Sequence, residues 1–575
     1  MVLVVRQPAR RRASSWANSF AVALKVLLSA GFLITSLLVA SPSGATPGWQ
    51  ITWTSPMDLA LGATYNSTVR DTATVAVAGS SVELTFSNLW SATPTTFGAV
   101  TVGVDQVGAA VVAGTIIPVT FNHGQRAVTI PAHGRVTSDP VALAVHANEK
   151  IAVSIAVSGW ATVSVHYCCT GNINTWATSN GVGDHTMDPT SQVFNPQLTG
   201  AFVRWLSGVA VGNSPAQGAI VAFGDSITDG YGYENNGFSW VNALQQRIDR
   251  LPAVYQMSVV NEGIAGNTLT VFPPGTSYAT NSGGVPGVTR LATDALAWPG
   301  VKDVVVLLGT NDIWFGAGGV SGKPIPPYGT AAAIEQGLRT VAAAVRARGL
   351  NVYAVTLLPR ATSTKLDHDI PEYWGPAEQS VMSAVNDWLL SARTGFTGVI
   401  NLAAVTADVY NGDCNPNTPF APYFNPDHLH PNVAGETAMA NAIGTQLFGM
   451  PDAPLNPPVL SASPTPGCAA AKLASSVLAA ASPTTTTTVA PTTSTVAPTT
   501  TTTPSSLMRS ARSLAIWLLL ALVVLAAILA LVARRRVTRR RRERRQAMHV
   551  VSYPRVPPPA PPRSGPNPRS GPRRR

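Results

Sequence analysis

The sequence predicts an α/β fold with a doubly wound, parallel five-stranded sheet, preceded by an all-β sandwich domain and followed by a C-terminal transmembrane helix. Three observations lead to this prediction. Over residues 216–450, short apolar runs alternate with helical stretches, as in buried parallel strands joined by helices. Residues 46–215 show period-two alternation broken by turn residues, which favours a β-sandwich. Residues 514–533 carry no charge or proline, and 20 helical residues span a bilayer.

The parallel sheet is assigned to five apolar runs, and the helices to four longer stretches between and after them. In sheets of this kind, catalytic groups gather beyond the carboxyl ends of the strands. Functional motifs are therefore expected directly after the strand runs. The predicted strands are 219–223, 258–261, 303–308, 351–358 and 398–402, and the predicted helices are 238–251, 330–348, 377–391 and 433–447.

The preceding segment, 46–215, is rich in Val, Thr and Ala. It contains no evident cluster of reactive side chains, so we interpret it as an accessory domain that packs against the α/β domain or contacts carbohydrate. Its alternating runs are predicted to be strands, and they are 74–77, 82–86, 127–130, 151–157 and 161–165.

The charge of the chain is unevenly distributed. Hydrophobic residues make up 45% and charged residues 12%, which excludes a disordered chain and a coiled coil. The net charge is +11, but residues 1–45 hold five basic and no acidic side chains, and residues 534–575 hold 15 Arg against one Glu. The part between these ends is acidic, which argues against nucleic-acid binding because that function needs positive charge on the folded surface.

Both ends of the sequence have the pattern of membrane targeting. Residues 1–45 combine basic residues, an apolar run and small residues, which predicts a secretory signal peptide; an uncleaved membrane anchor is the alternative. The apolar run 514–533 leads directly into an arginine-rich segment, 534–575. This order predicts a single-pass helix in the plasma membrane with the catalytic body outside and a basic tail in the cytoplasm. A buried core helix is the alternative, and the arginines argue against it.

A Pro/Thr-rich stalk, 451–513, is predicted between the body and the membrane. Residues 481–506 contain 13 Thr and 4 Pro, a composition that cannot form a core. At about 3.1 Å per residue, such a segment extends on the order of 80 Å. We therefore expect the body to act at some distance from the bilayer.

Four cysteines occur in the chain, and an exported protein can form disulfides. Four cysteines allow three pairings. A bond between the adjacent Cys168 and Cys169 is strained, which favours bridges from these two to Cys414 and Cys468, but the pairing stays open. No Cys-x-x-Cys motif or His cluster indicates a metal site.

Four short segments lie where the fold predicts functional groups. Ser226 stands at a strand-to-helix turn, which exposes its hydroxyl at the edge of the sheet. A glycine in the second segment lets the backbone approach a ligand closely, and Asn311 supplies an uncharged amide donor. Each segment alone also fits a helix cap or a turn. The segments are Gly224-Asp225-Ser226, Gly263-Ile264-Ala265-Gly266-Asn267, Gly309-Thr310-Asn311-Asp312 and Asp427-His428-Leu429-His430.

In this order, the four segments resemble the blocks of the SGNH (GDSL-type) hydrolase family, which are Gly-Asp-Ser, a glycine block, Gly-x-Asn-Asp and Asp-x-x-His. The β-rich segment is similar to the N-terminal part of secreted bacterial members. The resemblance implies that Ser226 is the nucleophile, His430 the general base and Asp427 the residue that orients the imidazole. It implies an oxyanion hole formed by the backbone amides of Ser226 and Gly266 and by the Asn311 side chain, with no cofactor and no metal.

These roles agree with the chemistry of the residue types. A serine hydroxyl needs a base to become a nucleophile, and an oxyanion needs preorganised donors. His428 is the competing base, but it directly follows Asp427 and is expected to point elsewhere. Asp225 and Asp312 are expected to brace the loops.

The leading hypothesis is a membrane-anchored serine esterase that forms an acyl-enzyme. Its expected substrates are acyl or acetyl esters of envelope carbohydrate, and then lipid esters. One alternative is an acyltransferase that moves the acyl group to a sugar hydroxyl. Another is an inactive surface binding protein, against which the intact set of motif residues argues. The oligomeric state stays open.

Overall fold

The computed structural model describes residues 48–167, 174–232, 235, 237–270, 283–317, 329–367, 370–372, 374–391, 394–408, 418–456 and 477–479. None of the helices in these ranges is long and apolar enough to cross a membrane. The predicted signal peptide, the four cysteines, the transmembrane run 514–533 and the basic tail lie outside the described residues.

Residues 49–212 form a β-rich region of antiparallel strands in three sheets, ordered β1-β13-β4-β8, β12-β10-β2 and β11-β3-β9-β5-β6, with β7 also paired to β5. Large side chains including Phe86, Phe97, Phe121 and Trp205 fill its core. The strands are β1 (Trp49–Thr54), β2 (Leu59–Tyr65), β3 (Thr68–Thr74), β4 (Ser81–Ser87), β5 (Thr95–Val104), β6 (Ile117–Pro118), β7 (Val128–Ile130), β8 (Arg135–Thr137), β9 (Lys150–Val157), β10 (Trp160–His166), β11 (Thr175–Ala177), β12 (Val203–Arg204) and β13 (Leu206–Gly212).

Most alternating runs of this region are strands, with one exception. The predicted runs 82–86, 127–130, 151–157 and 161–165 correspond to β4, β7, β9 and β10. The predicted strand 74–77 is wrong, because β3 ends at Thr74. The backbone amides that follow do not join a strand ladder. Ala76 N–H donates to the Thr52 carbonyl, and Val77 N–H donates to the Thr52 hydroxyl.

The second half is the predicted α/β domain, and its parallel five-stranded sheet is confirmed. The order is β15-β14-β16-β17-β20, which is the doubly wound order 2-1-3-4-5. A short strand, β21, pairs antiparallel with β20 at the edge. The strands are β14 (Ala219–Gly224), β15 (Ser258–Gly263), β16 (Val301–Leu307), β17 (Asn351–Val355), β20 (Gly398–Ile400) and β21 (Val477–Ala479), and β18 (Ser363–Asp367) pairs with β19 (Ile370–Glu372) in a separate hairpin.

The helices of this domain form two groups. Helix α8 contacts both α2 and α7, and α3, α4, α5 and α6 form the second group, the arrangement expected for helices on the two faces of a sheet. The helices are α1 (Ser226–Asp229), α2 (Trp240–Ile248), α3 (Gly287–Asp294), α4 (Thr310–Gly316), α5 (Ala331–Arg346), α6 (Pro376–Leu389), α7 (Leu402–Thr406) and α8 (Val433–Ala442), and 3-10 turns occur at Pro196–Leu198, Ala253–Tyr255, Ala421–Tyr423 and Thr445–Phe448.

Three local features differ from the sequence-based expectation. Helices α3, α4 and α7 have no counterpart among the predicted helices. The predicted helix 433–447 is interrupted after Ala442, and a 3-10 turn covers its end. Strand β21 falls inside the segment predicted as a stalk. A three-residue edge strand has too few positions for the pattern to distinguish it from coil.

The β-rich region packs on the edge of the α/β domain that is formed by β15. Ile51 N–H donates to the Pro299 carbonyl over 2.9 Å, and Gln50 Nε2 donates to Ser258 Oγ over 3.0 Å. Near the carboxyl end of β15, Thr54 Oγ1 donates to the Asn261 carbonyl over 2.9 Å. The edge strand of the sheet is therefore covered along its length, which protects an edge that would otherwise be free to pair with other chains.

Candidate active site

The turn after β14 places Ser226 at the carboxyl edge of the sheet. Ser226 is the first residue of α1, and the Asp225 carboxylate caps this helix by accepting a hydrogen bond from Ile227 N–H over 3.1 Å. A side chain at Gly224 would overlap Thr228, and one at Gly263 would overlap the Asp229 backbone. The two glycines let the turn fold tightly against β15, which fixes the direction of the Ser226 hydroxyl.

The structure brings Ser226, His430 and Asp427 together in one chain of hydrogen bonds. His430 Nε2 lies 2.9 Å from Ser226 Oγ, and His430 Nδ1 lies 2.6 Å from Asp427 Oδ2. The serine and histidine are 204 positions apart in the sequence. With Nδ1–H donated to the carboxylate, Nε2 carries the free lone pair that accepts the serine proton.

Asp427 is held in its charged form. Burial alone would raise the pKa of its carboxyl, but hydrogen bonds from the His430 ring and from the backbone amides of Leu429 and His430 lower that pKa to about 2. Both amides bond to Oδ1 at 3.0 Å. The carboxylate is thus available to orient the imidazole and to stabilise its cation over the whole neutral range.

The loop that carries His430 is anchored from both sides. Asn425 N–H donates to the His430 carbonyl over 2.8 Å, and Asn235 Nδ2 donates to the Pro431 carbonyl over 2.9 Å. The Tyr231 ring lies 4.6 Å, centroid to centroid, from the His430 ring. His428 is exposed and has a left-handed backbone with a φ of 58°. Its exposure contrasts with the burial of Ser226, Asp427 and His430.

The predicted oxyanion donors come from neighbouring strands. The sheet reverses its order between β14 and β16, so Ser226 and Asn311 follow the two strands that flank the switch point, where such sheets bind ligands. Asn311 is 7% exposed, and its Nδ2 donates to the Asn267 carbonyl over 3.0 Å. Gly266 has a φ of 73°, a left-handed conformation that glycine adopts without strain.

Asp225 and Asp312, expected to brace the loops, are both buried. Asp312 accepts hydrogen bonds from Leu269 N–H at 2.6 Å and from Thr270 N–H at 3.0 Å, which ties the segment after Gly266 to the start of α4. Burial raises the pKa of Asp225 to about 7 and that of Asp312 to about 6.

Sequence reasoning missed Arg290, which connects the first two motifs. Its Nε donates to Asn267 Oδ1 over 3.0 Å, and its Nη2 donates to the Gly224 carbonyl over 2.8 Å. Asp294 lies beside the same guanidinium at 3.5 Å. An isolated arginine in a helix that was itself not predicted gave no usable signal.

No group of three or more His, Cys, Asp or Glu side chains that could hold a metal occurs among the residues described above. What the site contains is a nucleophile–base–carboxylate chain next to buried amide donors. This combination has the parts needed for acyl transfer to a serine. The individual catalytic roles stay predictions until they are measured.

A comparison with protein families matches residues 220–443 to the model described as GDSL-like lipase/acylhydrolase. The match begins in β14 and ends just after α8, so it includes all four motif segments. No curated protein matches the sequence.

Solved structures similar to this chain include three hydrolases. The aryl esterase of M. smegmatis is 18% identical, with 41% of this chain and 100% of that chain covered and a TM-score of 0.30. Est24, a carbohydrate acetylesterase from Sinorhizobium meliloti, is 17% identical, with coverages of 40% and 98% and a TM-score of 0.29. The lipase/acylhydrolase from Enterococcus faecalis is 22% identical, with coverages of 39% and 91% and a TM-score of 0.26.

Proposed function

We propose that this chain, whose residues 220–443 match the GDSL-like lipase/acylhydrolase model, is a carboxylic ester hydrolase that works through a serine acyl-enzyme. The observation that carries the proposal is the hydrogen-bonded chain from Ser226 Oγ through His430 to Asp427, with distances of 2.9 and 2.6 Å. No single motif segment provides this alignment.

The reaction follows from these contacts. Ser226 Oγ attacks the ester carbonyl carbon while its proton passes to His430 Nε2, and Asp427 stabilises the imidazolium. The tetrahedral intermediate collapses, and the leaving alcohol takes that proton. A water molecule then attacks the acyl-enzyme, gives its proton to His430, and the acid is released as the proton returns to Ser226.

Charge on the carbonyl oxygen develops beside the Ser226 and Gly266 amides and the Asn311 side chain. The Asn311 donor is fixed before substrate arrives, because this side chain is hydrogen-bonded to Asn267 and buried. Preorganised donors of this kind typically contribute about 3–4 kcal/mol each.

The direct test is hydrolysis of short-chain aryl esters by the full-length chain in detergent. Ser226→Ala is expected to lower kcat by about 10⁴-fold or more, since the variant lacks the oxygen that forms the acyl-enzyme. A matched control is Ser383→Ala, which changes a serine on α6 and is expected to leave kcat unchanged. Full activity in Ser226→Ala would exclude the serine mechanism, and an inactive wild type that binds glycan would favour a binding protein.

We propose acyl or acetyl esters of carbohydrate as the substrate class. A cavity of about 500 Å³ lies between the β-rich region and the α/β domain, and its lining includes Thr74, Asn148, Asn242, Gln246 and Trp53. Asp229 at the end of α1 also lines it, whereas Ser226, Asp427 and His430 do not, so it would hold the sugar beyond the reacting ester. Amides, hydroxyls and an aromatic ring are groups that bind neutral sugars through hydrogen bonds and stacking. Lipid esters are the other candidate, for which a more apolar lining is expected.

The substrate class is tested by comparing an acetylated oligosaccharide with an aryl acetate. Thr74 and Gln246 are both exposed, so Thr74→Ala and Gln246→Ala are expected to leave the fold intact. If the cavity holds the sugar, KM is expected to rise for the oligosaccharide and not for the aryl ester. Equal KM values for both substrates in both variants would contradict the sugar assignment. Acylated oligosaccharide in place of free acid would indicate transfer rather than hydrolysis.

We also propose that the catalytic body is outside the cytoplasm and anchored by residues 514–533. The support is the uncharged run followed directly by arginines, which the positive-inside rule places in the cytoplasm. Protease treatment of intact cells is expected to release the body by cutting the Thr/Pro-rich stalk. Release only after lysis would contradict this topology.

A further inference from the structure

A second histidine–aspartate contact lies close to the nucleophile helix and crosses between the two regions of the protein. His166 ends β10 of the β-rich region and is 4% exposed. Its Nε2 lies 3.1 Å from Oδ1 of Asp229, the last residue of α1. On its other side, Nδ1 lies 3.7 Å from Oδ2 of Asp58.

Asp229 is connected to both halves of the predicted catalytic centre. It closes the four-residue helix that Ser226 begins, and its N–H donates to the Asp225 carbonyl over 2.9 Å. Its backbone lies against Gly263, where a Cβ atom would not fit. Its carboxylate also faces the backbone amide of Ala265, one residue before Gly266. A shift of Asp229 therefore moves the nucleophile and an oxyanion donor together.

The charges around this contact favour a cationic His166. Burial alone would lower the pKa of His166, but Asp229 from α1, Asp58 from the segment after β1 and Glu262 from β15 raise it to about 9. Burial raises the pKa of Asp229 despite the opposing effects of His166, the Ala265 amide and Arg290. His166 is thus the largest of the contacts that favour the charged form of Asp229.

We propose that His166 is a positioning residue for ester hydrolysis, because it holds the Asp229 carboxylate and thereby fixes Ser226 and the Gly266 turn relative to each other. The inference rests on the serine mechanism proposed above. It makes the β-rich region a working part of the catalytic centre rather than an accessory domain. In this role His166 touches no reacting atom of the ester; it supplies the cation that keeps α1 in place.

The test is His166→Asn in the full-length chain, with Ser258→Ala as the matched control. Ser258 Oγ bonds to the Ile51 carbonyl over 2.5 Å and accepts from Gln50, so its removal weakens the same interface at the amino end of β15, away from α1. His166→Asn is expected to lower kcat for an aryl ester about 10- to 100-fold with KM within about 2-fold, the size expected for misalignment of reacting groups. Ser258→Ala is expected to keep kcat within about 2-fold.

The pH dependence separates positioning from a general loss of structure. In wild type, activity is expected to fall as pH rises above about 9, where His166 loses its proton. Without the cation, Asp229 loses its proton only at higher pH. The activity of wild type divided by that of His166→Asn is therefore expected to be largest near neutral pH and to become smaller at alkaline pH. A constant ratio at all pH values, or an equal loss of kcat in Ser258→Ala, would overturn the proposal.

Two further measurements test the proposal if His166→Asn does not fold or if no ester is hydrolysed. If His166→Asn does not fold, as judged by its circular dichroism spectrum, Asp229→Asn is used; it keeps the shape of the side chain and is expected to show the same loss of kcat. The rate of Ser226 labelling by a fluorophosphonate replaces turnover if no ester is hydrolysed. Labelling in wild type that is slowed in His166→Asn supports the positioning role even if the proposed substrates are wrong, and equal labelling rates overturn it.

Discussion

The two histidine–aspartate pairs beside α1 are built in opposite ways. Asp427 and His430 belong to one loop, and Asp427 accepts two backbone N–H bonds in addition to the ring contact, so its pKa falls to about 2. His166 and Asp229 belong to different regions, and burial outweighs the favourable contacts, so the pKa of Asp229 is raised. Backbone amides, supplied locally, make a buried carboxylate robustly anionic. A carboxylate whose largest favourable contact is a cation from a distant part of the chain becomes easier to protonate when that cation is lost.

The largest effect is expected for Asp427→Asn. The amide keeps the shape of the side chain but no longer enforces the tautomer of His430 that leaves Nε2 free, and the imidazolium loses its counter-charge. We expect kcat for an aryl ester to fall by about 10³- to 10⁴-fold near neutral pH. A fall smaller than that of His166→Asn would reverse the ranking of the two pairs.

The next effect is expected for Asn311→Ala, which removes an oxyanion donor and leaves both histidine–aspartate pairs intact. We expect kcat to fall by about 10²- to 10³-fold with little change in KM, because the donor acts on charge that develops in the transition state. The pH profile is expected to keep its wild-type shape, in contrast to that of His166→Asn. A large rise in KM at constant kcat would instead place Asn311 in ground-state binding.

The two pairs are expected to affect stability in different pH windows. The pKa of His166 is raised from 6.5 to about 9, so its contribution is complete below about pH 6.5 and is lost as pH rises through 9. A pKa difference of one corresponds to about 1.4 kcal/mol, so proton binding by His166 alone contributes roughly 3 kcal/mol to the free energy of unfolding. The pKa of Asp427 is lowered from 3.8 to about 2, so its contribution is present above about pH 4 and is lost as pH falls through 2.

These effects are measured by urea unfolding of wild type, His166→Asn and Asp427→Asn as a function of pH. The difference in free energy of unfolding between wild type and His166→Asn is expected to decrease between pH 6.5 and 9. The corresponding difference for Asp427→Asn is expected to decrease only at acidic pH. A wild-type advantage over His166→Asn that grows toward pH 9 would contradict the charge assigned to His166.

The smallest effect is expected for His428→Asn. His428 is exposed and adopts a φ of 58°, a conformation that asparagine tolerates well. We expect kcat and KM to stay within about 2-fold of wild type. The free energy of unfolding is expected to change by no more than a few tenths of a kcal/mol. A loss of kcat comparable to that of Asp427→Asn would reopen the assignment of the base.

Local pattern was a good guide where each strand stood alone. The run 219–223 became β14 because its five adjacent apolar residues suit a strand that is covered on both faces. The run 258–261 became β15 although only Val259 and Val260 in it are apolar. The run 74–77 failed because the same alternation also fits a bend whose amides bond to Thr52. Helix α3 was missed although its buried face carries Arg290, because a buried charged residue breaks the apolar period that identifies a helix.

The sequence by itself determined the order of the four motif segments, the parallel α/β class and the proximity of Asp427 to His430, since a spacing of three residues brings two side chains together within one loop. The tertiary structure decided that His430 reaches Ser226, that Arg290 reaches Gly224 and that His166 reaches Asp229. These contacts join positions far apart in the chain. They depend on strand order and on how one region docks on another, and a periodic pattern of residues contains neither.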